Sequence, residues 1–352
     1  MQDYIALDVH KHYTFAGREE FDTCKATYNR LEHQRGIFKR YLAEVEPGTT
    51  VALEATGNWY WVVDEIEASG MKPALVHPYK AKVMLGCINK TDKLDVIGMN
   101  RLQRTGTLPT VWIPPVETRD LRELPRTRMF MMQIRAKLKN RIQATLTKYA
   151  LNVTGYSDSF GQKARQVMDK QMEELPPQAR KATQQLIEVL NPLEEQIRDQ
   201  EKRIHELVKV TPEMNLLVTI PCIGKILAVV IASEVGDISR FPKAENYTSY
   251  AGTAPRVKAS GDKFRIGRLR TDVNHYLKWA YIEAANCVCM HQRDFPDRHV
   301  TLFYKRIARR KGHQKAIGAV ARHLAEATFY VLSRKQVYRD PAFNKRVVTT
   351  GT

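Results

Sequence analysis

The chain has 352 residues, 43% of them hydrophobic, and 56 Lys and Arg against 38 Asp and Glu give a formal net charge of +18. That balance points to a polyanionic partner, nucleic acid ahead of an anionic membrane surface. No apolar run reaches the roughly 18 residues a spanning helix needs, so no membrane segment is expected. The first residues do not read as a secretory leader, so none is expected, and the five cysteines, without zinc spacing, read as reduced thiols of a cytosolic protein.

A chain of this length suggests two or three domains. Residues 4–9, Tyr-Ile-Ala-Leu-Asp-Val, form an apolar run suited to a buried strand. Asp8 interrupts it, and a charge inside a buried strand is costly unless paired or metal-bound. His10 and His12, two apart, would face one side; they could bind metal, though such histidines more often face solvent or pair with a carboxylate. Residues 14–18 and 24–28 read as two more strands of a meander, and residues 36–45 as a helix broken at Pro47-Gly48. Residues 50–57 are again apolar with a carboxylate, Glu54, near the end and a glycine after it. A helix over 58–69, a buried strand over 73–78 and a short helix over 79–85 follow.

Residues 90–95, Lys-Thr-Asp-Lys-Leu-Asp, open a helix predicted over 92–104. Positions i and i+3 share a helix face, so Asp92 and Asp95 can point at one spot. Two such carboxylates suit a hard divalent cation, although acids at a helix start also simply favour the helix dipole. Pro114-Pro115 marks a boundary. Alternating strands and helices with a meander in front give an α/β unit over 1–115, helices packed on a mixed sheet. Four carboxylates carried on its strand ends and a late helix match what an RNase H-like fold gathers around two divalent metals for phosphodiester chemistry.

The segment 116–211 reads as basic helices. Met131, Ile134, Leu138, Ile142 and Leu146 recur at helical spacing over 119–148, among Arg126, Arg128, Lys137, Lys139 and Arg141, which could track a phosphate backbone. Pro125 is expected to start or kink this helix. A long polar helix over 178–210 has a narrow apolar seam suited to a coiled coil, its partner being the preceding helix or another subunit. The remainder to 340 reads as a mainly helical domain, with a loosely ordered tail over 341–352. Pro221-Cys222-Ile223-Gly224-Lys225 resembles a helix-hairpin-helix turn whose backbone N–H groups meet a phosphate. Residues 250–263 form a loop rich in Gly, Pro, Ser and cations, with Ser260 beside Gly261. Arg256, Lys258, Lys263, Arg265, Arg268 and Arg270 surround that hydroxyl and would stabilise a transferring phosphate. No His–Asp partner in sequence shows how Ser260 would be activated.

The ordered set of residues 5–11, 53–57, 90–95, 139–142, 220–224 and 250–263 resembles the "one-ten" family of bacterial insertion-sequence transposases, over about residues 3–335. The resemblance implies a resolvase-type RNase H domain with Asp8, Glu54, Asp92 and Asp95 as metal ligands, for Mg²⁺ or Mn²⁺. It implies a coiled-coil linker and a C-terminal transposase domain in which Ser260 is the nucleophile of a covalent phosphoserine link to DNA. It further implies a homo-oligomer, a structured bridge RNA pairing with donor and target DNA, and a place in the bacterial cytoplasm at the nucleoid. Guidance by RNA accounts for positive charge without a base-reading motif. The rivals are a junction-resolving nuclease using metal-activated water, which needs the four acids but not Ser260, and an RNA-binding scaffold whose acids are structural.

Overall fold

β1 (Tyr4–Val9) pairs antiparallel with β2 (Tyr13–Glu19), and β2 with β3 (Ala26–Glu32). In this computed structural model, which describes residues 3–86, 91–261, 263–270 and 272–342, the meander is joined to a parallel half. After α1 (Ile37–Tyr41) comes β4 (Thr50–Glu54), then α2 (Trp59–Ala68) and β5 (Lys72–Val76). The sheet order is β3-β2-β1-β4-β5, with β1, β4 and β5 parallel. The apolar runs of β1 and β4 are buried on both faces, which is why they lack polar alternation. The free edge of β5 is covered by residues 109–111: Val111 N donates to Leu75 O at 2.7 Å and His77 N to Pro109 O at 2.9 Å.

Alternation along the strands assigns the two faces. Ile5, Leu7, Val51 and Leu53 pack with Phe38 of α1 and Val62, Val63 and Ile66 of α2. Ala6, Ala52 and Val76 pack on the other side with Ala81 of α3 (Pro78–Leu85) and Val96, Met99 and Leu102 of α4 (Asp92–Arg104). The small Ala6 and Ala52 let α4 approach closely. At Gly17 a Cβ would lie 2.3 Å from Val96 Cγ1, so only glycine fits there. Buried Asn100 donates to Gly17 O at 3.3 Å and Gln103 to Ile5 O at 2.8 Å, fixing the far end of α4.

Packing divides the chain into two units, Met1–Pro114 and Pro115–Thr352. The second begins with α5 (Val116–Lys148) and continues with α6 (Gln162–Glu173) and α7 (Pro177–Val210). Pro125, expected to start or kink this helix, sits inside it, and the helix begins at Val116. Proline removes one backbone donor, but Leu121 and Leu124 pack with Ile204 and Val208, and this burial holds the turn together. At the other end Leu138, Ile142 and Leu146 pack with Leu186 and Leu190. α5 and α7 are therefore antiparallel, and α5 fills much of the apolar seam of α7.

Beyond them α8 (Pro212–Leu217), α9 (Lys225–Val235), α10 (Ala244–Tyr250), α11 (His275–Met290), α12 (His299–Lys311) and α13 (His313–Arg334) share a core that includes Ile231, Tyr247, Tyr281, Val320 and Leu324. The loop expected around Ser260 is instead an antiparallel hairpin, β6 (Pro255–Ser260) and β7 (Lys263–Leu269). Residues 343–352, most of the expected tail, lie outside the described residues, as do Lys90 and the side chains of Lys258 and Lys263. Among the described residues no helix is long and apolar enough to cross a membrane.

Candidate active site

Asp8 is the last inward-facing residue of β1 on the α4 side; its register partner on β2 is Phe15, which packs on that same face. It is 6% exposed. The parallel pairing Leu7 with Leu53 makes Glu54 the corresponding next position on β4, and its alternation with Ala52 puts it on the α4 side too. Thr91 caps α4, its hydroxyl accepting from Leu94 N at 3.2 Å, and this presents Asp92 and Asp95 in the first turn. All four expected acids therefore belong to one side of the sheet.

Three ligand atoms come closest together. Asp8, His10 and Asp92 each offer one atom within 4.8 Å of the others. His10 Nε2 stands 3.1 Å from Asp8 Oδ2 and 3.2 Å from Asp92 Oδ2, yet it is buried and makes no well-angled hydrogen bond to either. Asn58 anchors this turn by donating to His10 O at 2.6 Å. Tyr13 donates its hydroxyl to Asp92 Oδ2 at 3.0 Å, and that bond raises the tyrosine's pKa. Glu54 and Asp95 are not in the three-atom cluster. His12 is exposed and is not in that cluster.

The donor set fits a divalent cation. A buried carboxylate, a second carboxylate beside it and a ring nitrogen between them offer three ligand atoms of the kind a divalent cation takes. Tyr13 was not legible in the sequence, because its place depends on the β1–β2 register. His10 carried a signal in its spacing from Asp8.

In the second unit Ser260 is exposed at the tip of the hairpin, paired in register with Lys263. Gly261 has φ +54°, a conformation that favours glycine. The hairpin's feet are fixed. Asn274 N donates to Tyr250 O at 3.0 Å, and Gly252 lies so close to Val273 that a Cβ would stand 2.4 Å from its Cγ2. Arg270 binds Asp272 through Nε at 3.2 Å and Nη2 at 2.5 Å, which lowers the Asp272 pKa to about 2. Arg256 stands 3.9 Å from the same carboxylate. Arg265 and Arg268 on β7 are exposed.

The cations expected to meet nucleic acid divide into two groups. Arg126 grips Glu234 with Nε at 2.7 Å and Nη2 at 3.0 Å; Arg128 binds Glu201 and is itself buried; Lys139 binds Glu194 at 2.9 Å. These three fasten helices together within the chain. Lys137, Arg141 and Lys225 are exposed. Glu234, unnoticed in the sequence, is 0% exposed and also accepts from Asn274 Nδ2 at 2.8 Å, tying α5 and α9 to the base of the hairpin.

Two family profiles match the chain: one of DEDD-type IS110 transposases, described as "Transposase", over residues 6–151, and one described as "Transposase IS116/IS110/IS902 family" over 214–300. The first spans Asp8, Glu54, Asp92 and Asp95, the second Ser260. The chain is 24% identical over 338 residues to the transposase for insertion sequence element IS1111A of Coxiella burnetii, covering 95% of this chain and 90% of that protein. It is 24% identical over 329 residues to a probable family 20 transposase of Pseudomonas aeruginosa, covering 92% and 93%. An uncharacterized 43.6 kDa protein of insertion element IS110 from Streptomyces coelicolor is 33% identical over 143 residues, 41% of this chain and 34% of that protein.

Proposed function

Because the chain belongs to the IS116/IS110/IS902 family of insertion-sequence transposases, we propose that its two units supply the two halves of one DNA strand-exchange reaction. The first unit is an RNase H-like domain of the resolvase type; the sheet order β3-β2-β1-β4-β5, with an antiparallel front and a parallel back, supports this reading. Asp8, Glu54, Asp92 and Asp95 would hold Mg²⁺, with Mn²⁺ able to replace it, and the bound ion's charge would offset that of the scissile phosphate. Tyr13 orients the Asp92 carboxylate through its hydroxyl. The convergence of Asp8 and Asp92 on one point is the observation that carries the proposal.

Ser260 supplies the nucleophile. Its Oγ attacks the scissile phosphorus, the P–O3′ bond breaks, and the proton lost by the serine is balanced by the one gained by the departing 3′-hydroxyl. The product is a phosphoserine, and attack by a 3′-hydroxyl of another strand reverses the step. Arg256, Lys258, Lys263, Arg265, Arg268 and Arg270, on and beside the hairpin, surround the phosphate. An exposed serine on a fixed hairpin supports this role better than the hydrolytic reading, which has no use for it. A structured RNA guides the choice of DNA, the protein acts as a homo-oligomer, and it works at the nucleoid in the bacterial cytoplasm.

The test is a denaturing gel of protein incubated with element-end DNA, retained RNA and Mg²⁺. A covalent protein–DNA band is expected from the native chain and none from Ser260→Ala or Asp8→Asn. Strand exchange at native rate by Ser260→Ala would return the reaction to metal-activated water.

A further inference from the structure

The last two turns of α5 and the first three turns of α7 enclose a notch of about 190 Å³. Its walls combine three chemistries. Ala144, Ala179 and Ala182 give a shallow apolar floor, Tyr149 a half-exposed aromatic ring, and Arg141 and Lys148 two exposed cations. The neighbouring hydroxyls take no part: Thr145 and Thr183 donate to the carbonyls of Arg141 and Ala179 in their own helices. The Lys148 ammonium stands 5.7 Å from the Tyr149 ring centroid, so a group lying on that ring is within reach of a cation.

Helix geometry extends the notch into a track. At about 100° per residue, Lys137, Arg141, Ala144 and Lys148 fall within roughly 60° of one another on α5. Lys139, on another face, is the one that binds Glu194. Three exposed cations thus lead along a single face to an aromatic-walled notch. A phosphodiester backbone fits the track, and a flat base with no partner fits its end: every base has a face to stack on an aromatic ring, whatever its sequence.

We infer that this notch binds one unstacked nucleotide, its base on Tyr149 and its phosphates on Arg141 and Lys148. This rests on the chain's working with nucleic acid and names where one unpaired nucleotide is held. A single-stranded loop of a guide RNA and an unpaired strand of DNA offer the same chemistry, so the experiment carries both.

The full chain is titrated into short single strands of RNA, and of DNA with matched sequence, each carrying one 2-aminopurine. Base stacking on the ring quenches that probe. The expected result is quenching by the native chain, retained by Tyr149→Phe. Tyr149→Ala loses the quenching and weakens binding about tenfold, with an unchanged salt slope because no charge is removed. Arg141→Ala should lower affinity and slope together. The arm in which Tyr149→Ala loses quenching identifies RNA or DNA as the occupant. Equal quenching by native chain and Tyr149→Ala in both arms overturns the notch and leaves the transposase reading standing. Failure of the native chain to bind either strand overturns the notch and the nucleic-acid reading alike. Thermal melting of each variant verifies folding, and Tyr149 lies past the end of α5, where truncation leaves the core intact.

Discussion

Asp8 was legible in the sequence because it breaks an apolar run, and a buried strand tolerates such a break only for a reason. Replacing it with asparagine removes the charge and keeps the shape. Metal-dependent cleavage should fall by at least about a hundredfold while the melting temperature holds or rises, since the nearby Asp92 loses a like-charged neighbour. Glu234 was not legible: it ends an apolar helix and reads as an ordinary surface residue until Arg126 and Asn274 are seen around it. Glu234→Ala leaves the part-buried Arg126 and the buried Arg122, whose Nε stands 3.6 Å from the same carboxylate, without their anion, and urea unfolding should show a loss of about 3–5 kcal/mol. His323 gives a pH signature. Its Nε2 is buried with no hydrogen-bond partner among the described residues, and burial, then His299, lowers its pKa. Glu326 and Asp340 act weakly the other way. The unfolded chain takes up a proton near pH 6.5 and the folded one resists it, so this contribution is complete above about 6.5 and is lost as pH falls below it. Melting temperature should drop between pH 7.5 and 5.5, and His323→Phe should flatten part of that slope.

At the scale of elements, α4 shows what pattern reading captures. Its bounds of 92 and 104 follow from a capping threonine, acids in the first turn and a glycine soon after the end. The contact that positions it depends on Gly17, thirteen residues into the meander from Tyr4, and no local pattern reports that. Gly17→Ala should cost about 1–3 kcal/mol by overpacking against Val96. It should also weaken Mn²⁺ binding measured by titration calorimetry, because Val96 lies one turn from Asp92. Residues 250–263, expected as a loop, include part of a hairpin whose signal is present in the sequence. Arg256 to Ile266 alternates polar and apolar on either side of Gly261-Asp262, a dipeptide suited to a two-residue hairpin turn. Pro125 misled in the opposite direction, since local propensity yields to the burial of Leu121 and Leu124.

For the whole molecule, a charge of +18 names the kind of partner but not the contact residues. Arg126, Arg128 and Lys139 look as suited to phosphate as Lys137 and Arg141 until their carboxylates appear. Substituting Lys137 with alanine should reduce the slope of log K against log salt by about one for duplex DNA, measured by anisotropy, whereas Lys139→Ala should chiefly lower the melting temperature. The packing of Gly252 against Val273 and the bond from Asn274 to Tyr250 make the hairpin a gauge with a set zero. Each residue along an antiparallel strand advances about 3.4 Å, so removing two residues from each arm would withdraw the Ser260 hydroxyl by about 7 Å toward the feet of the hairpin. The reach of the Ser260 hydroxyl is written in the count of residues between two anchored feet.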